Sequence, residues 1–341
     1  MLNHNMDFWN LAVRIIFLAQ TTTGILGNLS LVFYYLVLYY RECTLKPPEL
    51  ILMHLMAANV LLILSSGVPQ TMAVWGLKQF LSDFGCKILL YIQGFSRSVS
   101  IGTTCLLSVF QAITISLKKS CWKDHKVKAE KYIGCFISFI WAMHMSINFI
   151  FFVYTFIKGN SKNMTRKRNF GYCSTIGSND ISDSLYAALV VCPEIFFSVL
   201  IAWSSMSMII FLYRHKQRVQ HIHSTHGSSR TSPESRATQI IVALMSTFLT
   251  FYTLSSILRG CIAFLYSYNW WLVNIAPLTS LCFPSFVPFV LMSHYSVMLR
   301  HSLVWTRNKT CQFILHVYKM FGMVSISFLA HNSEKVVQSV K

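Results

Sequence analysis

Apolar residues in this chain come in long, nearly unbroken runs, not in short alternating stretches. Seven such runs lie near residues 11–39, 48–75, 86–117, 131–157, 184–213, 236–266 and 270–295. A helix of about 20 mainly apolar residues spans a bilayer, and each run reaches that length. Backbone in lipid must satisfy its own hydrogen bonds, which leaves only helices and closed barrels. Barrel strands are about 10 residues long, too short for these runs. The pattern therefore predicts an all-α membrane protein, a bundle of seven transmembrane helices. Residues 1–10 form a short N-terminal segment and residues 296–341 a tail. The sixth and seventh runs are parted only around Ser267-Tyr268-Asn269, which predicts a tight helical hairpin. Pro47-Pro48-Glu49 and Ser232-Pro233-Glu234 read as helix starts, with proline in the first turn and glutamate at the positive end of the dipole. Either start could extend a helix towards a partner or simply initiate it.

Composition narrows the class. The chain has 341 residues, 54% hydrophobic and only 12% charged. Soluble domains carry about 25% charged residues. The net charge of +18 could suggest nucleic-acid binding, but the apolar runs leave no soluble basic face for it. The basic residues instead cluster between runs, and their asymmetry sets an orientation. With the N-terminus outside, nineteen lysines and arginines fall in the segments placed inside and seven in those placed outside. Basic residues favour the cytoplasmic side, so the tail is expected in the cytoplasm. Trp75, Trp270 and Trp271 fall at outer ends, and Trp122 and Trp305 near inner ones. Met1 to Asn10 has no basic residue before the first run, which is expected to act as an uncleaved signal anchor.

Charge within the runs is the sharpest functional signal, because ionisable groups are costly in hydrocarbon. Arg97 lies eleven residues beyond Cys86, or about 16 Å along a helix. Glu194 and Arg259 sit two to three turns below the outer ends of their runs. Facing inward, the three could bind a polar group of a mostly apolar ligand. Equally, Glu194 could form a structural ion pair with Arg97 or Arg259. Arg14 lies close enough to the surface to snorkel. Cys86 and Cys173 are the only cysteines placed in outer segments or at an outer helix end. An oxidising exterior would preserve a disulfide between them; the alternative is two unpaired thiols. Asn163-Met164-Thr165 is a glycosylation sequon in the same outer loop. Asn28-Leu29-Ser30 and Asn308-Lys309-Thr310 also match but fall within the first run and inside. His215, His221, His223 and His226 lack the spacing and companions of a metal site and read as a solvated loop. Pro193, Pro277, Pro284 and Pro288 kink the fifth and seventh helices, as fixed shape or as hinges. No catalytic constellation, metal site or cofactor motif stands out. An enzyme is not expected.

Seven helices with this orientation are the architecture of G-protein-coupled receptors, although channels and transporters also use bundles. TTCLLSVFQAITIS (Thr103 to Ser116), SPESRATQII (Ser232 to Ile241) and FYTLSSIL (Phe251 to Leu258) resemble vomeronasal type 1 receptors. So do HLMAANVLLILSSGVPQ (His54 to Gln70) and FGCK (Phe84 to Lys87), in consistent order from about residue 20 to 310. The resemblance implies a multi-pass receptor in the plasma membrane of chemosensory neurons. It implies a small, mostly apolar pheromone-like ligand and a heterotrimeric G protein of the Gi/Go type, with no nucleic acid. It also implies the Cys86–Cys173 disulfide and a glycan at Asn163. Gln111, Ser116, Lys118 and Lys119, with Arg214 and Arg236, would meet the G protein. Many receptors of this architecture carry an acid–arginine–tyrosine triplet at the inner end of the third helix. Phe110-Gln111-Ala112 carries no charge there, and Leu117 stands where this family often has proline. A bitter-taste receptor is the alternative of the same architecture. A transporter is the alternative of another class, but it would show repeats and unwound half-helices, and the chain has no repeat.

Overall fold

The computed structural model describes residues 2–77, 79–116, 123–159, 167–169, 172–176, 192–222, 245–258 and 270–302. They form α1 (Leu2–Glu42), α2 (Pro47–Val74), α3 (Asp83–Ser116), α4 (Lys123–Gly159), α5 (Cys192–Ile222), α6 (Met245–Leu258) and α7 (Trp270–Ser302). Between α4 and α5, β1 (Lys167–Asn169) pairs antiparallel with β2 (Ser174–Ile176), Arg168 facing Thr175. Five of the helices, α1, α2, α4, α5 and α7, contain stretches long and apolar enough to cross a membrane. α6 is a shorter apolar helix among the described residues. α3 lacks such a stretch because it carries the bundle's polar side chains, and it lies at the centre: every residue from Phe95 to Cys105 is buried. A helix buried on all sides is a core helix.

The outward faces suit lipid. Phe33, Phe139, Val199 and Trp203 are largely exposed. Such a patchwork on a soluble monomer would be an aggregation liability; here it meets hydrocarbon. Outward-facing hydroxyls are satisfied within their own helices. Ser146, Ser207, Thr250 and Thr253 each donate to the carbonyl four residues back.

Three local features fix how the helices meet. First, α2 starts at Pro47, where the Lys46 N–H donates to Glu49 Oε2 at 2.9 Å. Its Ile63–Gly67 segment is a π turn, in which the Val68 N–H reaches back five residues to Ile63. Pro69 explains the widening: it lacks an N–H and its ring crowds the carbonyl four residues back. Second, α1 packs against α7 through glycine. A Cβ on Gly27 would lie 2.8 Å from Pro288 Cβ, and one on Gly24 would lie 2.9 Å from Ser285 Oγ. Third, Pro288 leaves the Pro284 carbonyl without its usual helical donor. Asn28 supplies one, donating from Nδ2 to that carbonyl at 2.8 Å. Asn59 Nδ2 donates to Asn28 Oδ1 at 3.4 Å, and Ser100 Oγ donates to Asn59 Oδ1 at 2.9 Å. All three side chains are fully buried. The chain of amides joins α1, α2, α3 and α7, and it is uncharged.

At one end of the bundle, Cys86 at the start of α3 is bonded to Cys173 beside β2, with 5.8 Å between their Cα atoms. Ala73 and Tyr172 pack around the bond. α3 and α5 run parallel from that end, since Arg97 meets Glu194 and, further along, Ser108 meets Ser204. The main apolar core lies beyond Arg97, away from the disulfide. It includes Leu55, Ile101, Phe110, Ile201, Phe248 and Phe283.

Two stability outcomes follow. Asn28→Leu orphans the Pro284 carbonyl, and an interhelical hydrogen bond within a bilayer contributes about 1–2 kcal/mol. The unfolding midpoint of the detergent-purified chain should fall accordingly, and an unchanged midpoint would show that α7 holds its shape without Asn28. Cys86→Ser, Cys173→Ser and the double variant should lose equal stability, because each removes the same bond; unequal losses would point to separate roles for the thiols.

Candidate functional site

Arg97 stands where α3, α5, α6 and α7 converge. Its side chain is only 3% exposed. A buried guanidinium is tolerable only with its charge paired and its donors occupied. Nε donates to Glu194 Oε1 on α5 at 2.9 Å. Nη1 donates to Ser255 Oγ on α6 at 2.9 Å and to Ser280 Oγ on α7 at 3.1 Å. Nη2 donates to Ser256 Oγ at 2.9 Å. Ser256 in turn donates to Glu194 Oε2 at 3.2 Å, closing a ring of arginine, carboxylate and hydroxyl. The guanidinium carbon lies 4.5 Å from the centre of the Tyr252 ring, a cation–π contact. The Tyr252 hydroxyl donates to the Arg97 carbonyl at 3.5 Å. Only a planar fork can meet a carboxylate and three hydroxyls at once. Below the arginine, Phe248 stacks on Tyr252 and meets Phe283 edge to face. These three rings are the part of the main core that lies against the polar cluster.

Of the charged residues singled out from the sequence, Arg97 and Glu194 come together as an ion pair. Arg259 lies outside the described residues, as do Asn163, Lys118, Lys119, Arg236 and the Ser232-Pro233-Glu234 start. Gln111 is half-buried near the end of α3, far from the disulfide, and Arg214 is exposed on α5. Ser116 ends α3. Among the described residues no group of three metal-ligating side chains occurs. Sequence reasoning missed Ser255, Ser256 and Ser280. Their signal was present: hydroxyls inside apolar helices are available as interhelical partners for a buried charge. It also missed the amide chain, although Asn28 was noticed as a sequon. Its burial puts it out of reach of a glycan.

The chain matches the family of vomeronasal organ pheromone receptors over residues 11–304. It belongs to the vomeronasal type-1 receptor family. It is 46% identical to human vomeronasal type-1 receptor 4 over 85% of this chain and 96% of that one. It is 48% identical to human vomeronasal type-1 receptor 2 over 81% and 70%. In structure it resembles squid rhodopsin, with a TM-score of 0.61 at 13% identity, covering 83% of this chain and 77% of that one. That likeness shows the fold, a seven-helix G-protein-coupled receptor bundle. The family consists of receptors, so this chain is a multi-pass membrane receptor and not an enzyme. Its Arg97 cluster therefore joins four helices of a receptor bundle on the disulfide side of the core.

Arg97→Lys tests the fork. A lysine keeps the charge but not the planar set of donors, so stability should fall by about 1–3 kcal/mol. Ser255→Ala should cost about 1 kcal/mol. Wild-type thermal unfolding in Arg97→Lys would mean that charge alone holds the four helices.

Proposed function

We propose that this vomeronasal type-1 receptor is a chemosensory receptor of the plasma membrane. Its N-terminus lies outside, and its ligand enters at the disulfide end. The ligand is small and mostly apolar, as pheromone-like molecules of the family description would be. A Gi/Go-type heterotrimer couples at the opposite end, through Gln111, Ser116, Lys118, Lys119, Arg214 and Arg236. The excess of basic residues at that end supports the orientation.

The observation that carries this reading is the Arg97 cluster. It ties α3, α5, α6 and α7 at a single guanidinium, on the ligand side of the aromatic layer formed by Tyr252, Phe248 and Phe283. A ligand that binds one arrangement of these helices better than another shifts their populations. Moving α6 relative to α3 means breaking or remaking the Ser255 and Ser256 bonds, so the cluster is where ligand contact becomes helix displacement. No charged triplet restrains the inner end of α3, and in this reading the Arg97 cluster supplies the restraint instead. Linkage then requires that a bound G protein raise ligand affinity, by about 5- to 150-fold for ordinary coupling energies.

The test uses the full chain in nanodiscs with purified heterotrimers. Ligand-dependent nucleotide exchange should occur on Gi or Go and not on Gs. Ser256→Ala should raise exchange without ligand, because it loosens α6 from α3. Substrate flux across vesicles with no exchange on any heterotrimer would overturn the receptor reading.

A further inference from the structure

Among the described residues, Arg97 and Glu194 lie buried together towards the disulfide end, and they are not equally available. Arg97 is 3% exposed and Glu194 is 12% exposed. The guanidinium makes four hydrogen bonds and a ring contact. An anionic ligand reaching it would have to displace Glu194 or the serines. Glu194 differs. Oε1 accepts one bond from Arg97 and Oε2 one from Ser256, whereas a carboxylate offers about four lone-pair sites. Both of its bonds run to α3 and α6, so the carboxylate faces the bundle interior. Its unused lone pairs are acceptors beside a cation that is already neutralised.

We propose that Glu194, and not Arg97, is the ligand-facing polar group. On this assignment the receptor selects small apolar molecules that present a hydrogen-bond donor, and it disfavours anions. The proposal rests on the disulfide end being the ligand entrance. A hydroxyl and a protonated amine share the required chemistry. A hydroxyl adds one bond to the carboxylate and leaves Arg97 paired. An amine adds a second cation to the same carboxylate, opposed by Arg97. A ligand carboxylate meets Glu194 as a like charge, and an ether offers no donor. Phe197, one turn beyond Glu194 and against His144 at 5.7 Å between ring centres, supplies an apolar wall beside the polar tip.

The experiment uses the purified full chain in nanodiscs. Its probes are matched alcohols, amines, methyl ethers and carboxylates built on linear, branched and ring hydrocarbon frameworks. Binding is read as a concentration-dependent rise in the unfolding midpoint. Alcohols should bind about tenfold or more tightly than their matched ethers, as a hydrogen bond to a charged acceptor requires. Carboxylates should bind no better than ethers. Glu194→Gln should keep the alcohol preference, since the amide retains an acceptor, and should abolish amine binding. The ranking in the wild-type receptor needs no variant to fold. The proposal is overturned if carboxylates bind best, if ethers match alcohols, or if no donor-bearing probe binds. Alcohol binding with no G-protein activation would leave this inference standing and sink the signalling reading; activation by ethers or carboxylates alone would do the reverse.

Discussion

A guanidinium buried among four helices is the constraint on which the rest of this receptor depends. Arg97 sits about 16 Å along α3 from the disulfide-bonded Cys86, where its side chain is almost fully buried. An unpaired charge at such a place would oppose folding by several kcal/mol. Glu194 removes the net charge, and Ser255, Ser256 and Ser280 occupy the remaining directions of the fork. Those partners come from three other helices, so satisfying one side chain dictates how α5, α6 and α7 stand around α3. Lipid supplies little hydrophobic force between helices. Polar contacts of this kind therefore carry much of the specificity of the arrangement.

The same logic operates without charge one turn further along α3, at Ser100. Pro288 gives α7 its shape and leaves the Pro284 carbonyl exposed to a neighbouring helix. Asn28 fills that vacancy, and Gly27 lets α1 come close enough to do so. Through Asn59 and Ser100 the repair reaches α3. α3 is thus held at Arg97 by an ionic cluster and one turn further along, at Ser100, by an amide chain. The difference matters for function. Every contact of the amide chain is neutral, whereas the ionic cluster holds an acceptor with lone pairs to spare, so only the latter offers a ligand a strong electrostatic foothold.

Much of this was legible in the sequence. Long apolar runs can only be membrane helices, so the bundle followed from their lengths. Arg97 and Glu194 stood out because charge inside such runs is rare, and their pairing was one of two readings the residues allowed. That Glu194 meets Arg97 was not fixed by the residues alone, because the rotation of a helix that is apolar on most faces leaves no periodic signature. The serines gave a signal, but not a selective one: α3 alone carries many hydroxyls that merely bond back to their own helix, such as Thr103 and Thr104. Nothing local distinguishes those from Ser255, whose partner lies on another helix. The π turn before Pro69 was hidden, since proline in a membrane helix permits several local repairs.

The most direct test of the central claim is a double-mutant cycle on Arg97 and Glu194, read as thermal stability of the purified receptor. Arg97→Met and Glu194→Met each strand a buried charge and should each cost about 3–5 kcal/mol. The double variant strands none, and its stability should return to within about 1–2 kcal/mol of the wild type. Mild single variants, or losses that simply add in the double, would contradict the account, because the two charges would then not depend on each other.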